Sequence, residues 1–315
     1  MRTFDSVQLN SIEQFCKAAE LGSFTSAAES LGLTPAAVSR SITRLEERLG
    51  VRLFTRTTRR IRLTSEGELY WQECQRGLEQ IAEAERAITG NQKVPSGTLR
   101  ISVGTLYANY RLLPILPRFT EMYPQIDLEL SISNRVIDFV EENYDLAIRL
   151  GVPRDSRLIA HKLEDASVGI FGSNDYLARR GTPQTIDDLA AHDCIQFILP
   201  STGRPMTWLF KDEDGKEIDF VCHSRRRVHD DALGCINWAI AGGGLFQIYH
   251  FIADGAVRRG ELAEVLQAYG GRARQFSILY PQNRHLSARV RAFVDFMLAM
   301  VRADSSDGKR GSWRG

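Results

Sequence analysis

No stretch of this 315-residue chain reaches the run of roughly 18 apolar residues that a membrane-crossing helix needs. The opening segment, MRTFDSVQLNSIEQF, has no apolar core of signal-peptide length. A soluble, cytoplasmic protein with no membrane partner is therefore expected. Cysteine is scarce: Cys16, Cys74, Cys194, Cys222 and Cys235 are odd in number and lack CxxC spacing. That argues against structural disulfides and a zinc site. His192, His223 and His229 have no spacing that puts two ligands on one helix face, so no metal site is expected. GxSxG, a P-loop and a strand followed by GxGxxG are all missing. Neither catalytic residues nor a cofactor are expected, and the chain does not read as an enzyme.

The charge balance is close to neutral, +1 overall, but it is unevenly spread. Between positions 40 and 62 lie Arg40, Arg44, Arg48, Arg52, Arg56, Arg59, Arg60 and Arg62, against only Glu46 and Glu47, a local charge of +6. The rest of the chain is net acidic, as for a nucleic-acid reader attached to an acidic body.

The arginine run begins inside a helix. Thr34-Pro35 supplies a hydroxyl N-cap followed by proline at the first helical position. Val38, Ile42, Leu45 and Leu49 then recur at spacings of three and four, which buries one face. The other face carries Ala36, Ser39, Arg40, Thr43 and Arg44, side chains suited to base edges and phosphates. A shorter helix over about 23–31 precedes it, ended by Gly32. The first helix, about 7–21, buries Leu9, Ile12, Phe15, Cys16 and Ala19. Helix, glycine turn and helix is the helix-turn-helix arrangement. Two short strands at 51–54 and 61–64, with a basic tip between them, make a wing. Candidate DNA-reading residues are Thr34, Pro35, Ala36, Ser39, Arg40, Thr43, Arg44 and, on the wing, Arg56, Arg59 and Arg60. A long helix from Thr64 to about Gly90 follows. Its narrow stripe of Trp71, Cys74, Leu78, Ile81 and Ile88, broken by Glu85, predicts pairing with a second copy, with packing against its own chain as the alternative. Positions 90–97 read as a linker.

Beyond 97 strands alternate with helices, which predicts parallel sheets with right-handed crossovers. Strands are expected at 98–103, 126–132, 144–149, 167–171, 194–197, 220–222, 244–248 and 276–280. Helices are expected at 106–123, 138–143 and 287–301, with a disordered tail from 302. In open α/β sheets ligands lie beyond the carboxyl ends of the strands. The candidate residues there are Thr105, Ser133, Asn134, Arg149, Gln196, Phe197, His229, Asp230 and Gln247. Thr105 at a helix start, with Arg149, suits a carboxylate; Arg149 equally suits an ion pair between the lobes. The run at 225–227, three arginines, reads as a solvated loop, with a second anion site as the alternative.

Ala27-Ala28, Leu31, TPAAVSR at 34–40, Leu45-Glu46, Leu49-Gly50, Leu53-Phe54, Arg56 and LTSEG at 63–67 together resemble the N-terminal domain of LysR-type transcriptional regulators. DLAIRLG at 145–151, SNDYLARRGTP at 173–183, Gly242-Gly243-Gly244 and VRAFVDFM at 290–297 resemble that family's effector domain. The resemblance implies a winged helix-turn-helix domain at 1–64, a dimerising linker helix and hinge at 65–96, and an effector domain at 97–301. The last would have two α/β lobes like those of type 2 periplasmic binding proteins, one at about 97–163 plus 268–301 and the other at about 164–267. It further implies promoter DNA, a small-molecule effector between the lobes, homodimers and homotetramers, and RNA polymerase as a partner. Many relatives carry a proline after the glycine run where this chain has Gln247-Ile-Tyr249-His250. The alternatives are a redox-sensing regulator of the same family using Cys194, Cys222 and Cys235, or a two-lobed binding protein or enzyme.

Overall fold

The computed structural model describes residues 6–56, 61–88, 94–135, 139, 142, 144–151, 157–282 and 286–306. The chain divides into two compact units, residues 1–93 and 94–315.

The first unit begins with helices α1 (Ser6–Leu21), α2 (Phe24–Leu31) and α3 (Pro35–Leu49). Ser23 caps α2 by accepting the Ser26 N–H at 3.2 Å, and Gly32 closes it with φ 66°. Thr34 Oγ1 accepts the Ala37 N–H at 3.2 Å, and Pro35 opens α3. Val38, Ile42 and Leu45 are buried with Ile12, Phe15, Ala27 and Ala28. Two residues expected on the buried stripes lie elsewhere: Leu9 is 41% and Leu49 38% exposed. Leu49 is the last residue of α3 and lies past the core, where Ser41 and Glu46 are buried instead.

Glu46 also moves the wing. Its Oε1 accepts the N–H groups of Leu53 at 2.8 Å and Phe54 at 3.1 Å, so those donors serve a side chain rather than a strand ladder. Strand β1 (Phe54–Arg56) therefore starts later than the expected 51–54, pairing antiparallel with β2 (Ile61–Leu63) from Phe54↔Leu63 to Arg56↔Ile61. The wing tip lies outside the described residues. Thr64 Oγ1 donates to the Arg52 carbonyl at 2.7 Å and accepts the Gly67 N–H at 2.9 Å, opening helix α4 (Ser65–Ile88). A Cβ at Gly67 would lie 2.0 Å from the Leu53 carbonyl oxygen, so only glycine fits there.

The second unit contains, in order, β3 (Gly97–Val103), α5 (Thr105–Tyr107), α6 (Leu116–Met122), β4 (Ile126–Ile132), β5 (Leu146–Leu150) and β6 (Leu158–Ser173). Then come α7 (Asn174–Arg180), β7 (Ile195–Ile198), β8 (Trp208–Lys211), β9 (Glu217–Phe220), β10 (Arg226–His229) and α8 (Ala232–Ile240). The rest is β11 (Phe246–Tyr249), α9 (His250–Arg258), β12 (Leu262–Val265), β13 (Ala273–Pro281) and α10 (Ala288–Ser306).

β3 pairs in parallel with β4 and β5, as strand–helix–strand connections require. The single helix expected at 106–123 is instead broken: α5 passes into a π turn, Ala108–Leu112, before α6 begins. Pro114 and Pro117 lie at the break; neither has an N–H to continue the ladder. The helix expected at 138–143 falls largely outside the described residues.

β6 is far longer than the expected 167–171. Its first half pairs antiparallel with β13, from Leu158↔Pro281 to Ser167↔Ala273. Its second half pairs with β11 and β12, for example Phe171↔Phe246 and Ser173↔Leu262. One strand thus runs out of the first lobe and into the second. The charged residues of LIAHKLEDA at 158–166 hide its first half in the sequence, because that half is only partly buried. In the second lobe β7 pairs in parallel with β10, so the triple-arginine run enters a strand instead of a solvated loop. β9 ends where the strand at 220–222 was expected to begin. α10 continues through Ser306, past the expected start of the tail at 302.

Candidate functional site

The outward face of α3 is polar and open. Thr34, Pro35, Ala36, Arg40 and Arg44 are exposed, and Ser39 and Thr43 half-buried. Thr43 Oγ1 donates to the Ser39 carbonyl at 3.0 Å, which fixes its rotamer. Arg40 and Arg44 stand one helical turn apart, and neither forms an ion pair among the described residues. The Arg56 side chain, Arg59 and Arg60 lie outside the described residues.

On α4, Trp71, Cys74 and Leu78 pack, half-buried, against the core of their own winged helix. Ile81 is 48% exposed and Leu69 64%. With the first three half-buried by their own chain, Leu69 and Ile81 are the exposed large apolar side chains of this helix among the described residues; the Ile88 side chain is outside them.

In the second unit a cavity of about 650 Å³ opens between the lobes. Gly104, Leu106, Tyr107, Asn134 and Arg149 line it from the first lobe, and Phe197, Met206, Phe246, Gln247 and Tyr249 from the second. Val168, Arg274 and Phe276 come from the strands joining them. Four of the nine residues expected to touch a ligand, Asn134, Arg149, Phe197 and Gln247, therefore line one space. Thr105, Ser133, Gln196, His229 and Asp230 do not line it.

Three of the nine meet in a bridge between the lobes. The Thr105 N–H donates to Asn134 Oδ1 at 3.1 Å, and Asn134 Nδ2 donates to the Asp230 carbonyl at 2.9 Å. Asp230 has φ 63°, the left-handed region that asparagine and aspartate tolerate best among side-chain-bearing residues. Ser133 Oγ accepts the Arg135 N–H at 3.1 Å, and Gln196, fully buried, donates to the Met206 carbonyl at 2.6 Å. His229 is exposed at the end of β10. Gln247 lines the cavity, but its amide accepts the Leu209 N–H at 2.8 Å and donates to the Leu209 carbonyl at 2.9 Å. It therefore shapes the wall more than it offers free donors.

Arg149 is the expected cation. Its Nη2 donates to Ser102 Oγ at 2.6 Å and its Nη1 to the Ile148 carbonyl at 3.0 Å, and no carboxylate pairs with it among the described residues. Burial pulls its pKa down to about 10, against the weaker opposing pull of Tyr144 and the Glu142 carboxylate. Arg274 is a second such group, which the sequence did not reveal. Its Nη2 donates to the Thr207 carbonyl, and burial again holds its pKa below the ordinary value. Within Gly-Gly-Arg-Ala-Arg it reads as a loop residue; only the pairing of β13 with β6 brings it to the cavity.

Cys194, Cys222 and Cys235 are enclosed in second-lobe cores, at 2%, 6% and 0% exposed. Burial pushes Cys235 up to about 12. Among the described residues no three His, Cys, Asp or Glu side chains cluster as for a metal ion, and no helix is long and apolar enough to cross a membrane.

Residues 9–68 match the family described as bacterial regulatory helix-turn-helix protein, lysR family, and residues 92–302 the LysR substrate binding domain. An HTH-type transcriptional repressor of Pseudomonas aeruginosa is 36% identical over 293 residues, 93% of this chain and 92% of that protein. CrgA of Neisseria meningitidis, an HTH-type transcriptional regulator, is 34% identical over 285 residues, 90% of this chain and 94% of its own. The solved structure of CrgA, a LysR-type transcriptional regulator, superposes with a TM-score of 0.58 at 31% identity, covering 95% of this chain and 99% of that one. Full-length AphB, the Vibrio cholerae virulence activator, gives 0.59 at 26% identity, covering 92% and 98%.

Proposed function

The chain belongs to the LysR family of transcriptional regulators, with a DNA-binding winged helix-turn-helix and a two-lobed effector-binding domain, and from that premise we propose what it binds and how. The effector is a small anion with an aromatic or branched apolar body, held between the lobes. One observation carries this: two half-buried guanidiniums, Arg149 and Arg274, line one apolar cavity, and neither forms an ion pair with a carboxylate among the described residues. A charge left unneutralised in a low-dielectric wall is costly, and an incoming carboxylate relieves that cost. Phe197, Phe246 and Phe276 supply flat apolar walls for the remainder of the ligand.

At promoter DNA, Ser39 and Arg40, with Pro35 and Ala36 beside them, enter the major groove. Thr34, Thr43 and Arg44 hold phosphates at its edge, and Arg56, Arg59 and Arg60 reach the backbone or minor groove from the wing. Two chains pair through α4 and two pairs join through their effector domains, in the cytoplasm. Closure of the lobes on the ligand changes the spacing of the paired winged helices. RNA polymerase is the partner at promoters the protein activates.

Footprinting with and without ligand tests this reading. Arg40→Ala should relax specificity at one base position, at about 1–3 kcal/mol for a bidentate contact. Arg44→Ala should weaken all sequences alike and lower the salt slope by about one. Unchanged binding in both variants overturns the reading face. A footprint indifferent to every anion that binds the protein overturns the switch.

A further inference from the structure

Arg111, in the π turn Ala108–Leu112 of the first lobe, touches a joining strand and the second lobe at once. Its guanidinium is buried and bonds Glu164 of β6 twice, Nε to Oε1 at 3.0 Å and Nη2 to Oε2 at 2.9 Å. The guanidinium carbon also lies 4.4 Å from the centre of the Phe251 ring, in α9 of the second lobe. Asp254, one turn further along α9, is close enough to feel the charge: burial raises its pKa, and His250, Arg258 and Arg111 oppose that rise. From Phe251 a chain of rings leads to the cavity. Tyr249 stacks on Phe251 with centroids 5.4 Å apart, Phe276 meets Tyr249 at 5.2 Å, and Tyr107 meets Phe276 at 4.7 Å. Tyr107, Tyr249 and Phe276 line the cavity; Arg111, Glu164 and Phe251 stand behind them.

The backbone is irregular at both ends of the ion pair. Arg111 is in a π turn, and Glu164 is the residue opposite Phe276 where β6 slips against β13. Such interruptions cost ladder hydrogen bonds and re-aim side chains, here onto the place where the chain passes between the lobes. We propose that Arg111 is a positioning residue that latches the lobes: pinned to β6 by Glu164, it holds Phe251, and with it the second lobe, in the arrangement described above. The two halves of the latch differ in kind. The Glu164 contact is a buried, bidentate, charge-assisted pair whose geometry is fixed. The contact with Phe251 is an attraction to a ring face, with no directional bond, so the ring can slide beneath the cation. Rotation of the second lobe therefore acts at Phe251, and a ligand pressing on Tyr249 or Phe276 reaches it through the stacked rings. The purpose of the latch rests on the effector reading above, whereas the latch itself belongs to the protein without ligand.

The test uses the full chain without ligand, so an anion screen that found nothing would sink the cavity reading and leave this measurement standing. Hydrogen exchange is followed at the Thr105 amide, whose acceptor Asn134 also ties to Asp230 of the second lobe. Phe251→Leu keeps an apolar side chain and removes the ring face. Exchange at Thr105 should quicken about ten-fold, the opening of one weak contact, while β3 and β7 inside the lobes keep wild-type rates. Arg111→Met combined with Glu164→Gln removes both charges of a buried pair, which commonly leaves stability unchanged or higher. It should hold the unfolding midpoint and give the same quickening at Thr105. Wild-type exchange at Thr105 in Phe251→Leu overturns the latch. So does a rise shared equally by β3 and β7, the mark of a contact that only stabilises the domain. Should Phe251→Leu fail to fold, the paired-charge variant decides alone by the same two readings.

Discussion

Asn134 holds Asp230 across the gap between the lobes: its Nδ2 donates to the Asp230 carbonyl at 2.9 Å while its Oδ1 accepts the Thr105 N–H at 3.1 Å. The side chain of Asn134 therefore ties both sides of the cavity without occupying it. Asn134→Ala loses both bonds, each worth about 0.5–1.5 kcal/mol. Urea unfolding should show a loss of that order, and amide exchange at the Asp230 turn should rise. Thr105→Val keeps the main-chain donor and should change stability by less than about 0.5 kcal/mol. An Asn134→Ala midpoint equal to wild type would mean the tie does not form in solution.

Arg149→Met and Arg274→Met should separate binding from folding. Each substitution removes a charge that burial penalises and that forms no ion pair among the described residues, Glu142 and Asp219 offsetting burial only in part. Thermal stability without ligand should hold or rise. Affinity for the best anion from a calorimetric screen of aromatic and aliphatic carboxylates should fall, by about 1.5–3 kcal/mol per lost charge-assisted bond. Full affinity in both variants would put the ligand elsewhere.

The apolar positions of α4 should divide by role. Leu78 lies against its own core, whereas Ile81 is 48% exposed. Leu78→Asp buries a carboxylate and should lower the unfolding temperature of the first unit. Ile81→Asp should leave the fold intact and split the dimer in sedimentation. If Ile81→Asp sediments like wild type, the chains pair through another surface.

His250 gives the stability a pH dependence of known sign. Its Nε2 lies 2.7 Å from Glu264 Oε1 and its Nδ1 3.1 Å from Ser167 Oγ. The bond to Glu264 raises the His250 pKa above the ordinary 6.5, against the opposing effect of burial; Asp254 and the Glu264 charge also favour the cation. A histidine raised on folding lends stability in full below its unfolded pKa and loses it as pH climbs through the raised value. Unfolding midpoints should therefore fall from slightly acid to alkaline pH, and Glu264→Gln should flatten that slope. A slope that survives Glu264→Gln must belong to another group.

The parts legible in the sequence were those governed by local physics. The Thr34 cap, Pro35 and the three-four spacing of Val38, Ile42 and Leu45 act within one helix, and all appear where expected. Glu46 was legible only as a charge. Its burial depends on the chain returning at Leu53, a contact no helical period encodes. The cavity divided in the same way. Arg149 ends a clean apolar strand and was visible, while Arg274 reaches the cavity only through the pairing of β13 with β6. Thr105 and Asp230 were singled out for standing at the ends of strands. They do stand beside the cleft, but their main-chain groups are taken up by Asn134.

β6 leaves little freedom for insertions and deletions in the effector domain. Side chains alternate faces along a strand, and this one strand keeps step with β13 and then with β11 and β12. The phase slips once, opposite Phe276/Ser277, where Glu164 and Lys162 are paired and Leu163 is passed over. Deleting Asp165 or Ala166 would exchange wet and dry sides for everything after the cut, turning Val168 away from the cavity and Ser167 towards it. A loop elsewhere can lengthen and leave both lobes intact, but along this ribbon the reading frame of inside and outside is shared by both halves of the domain.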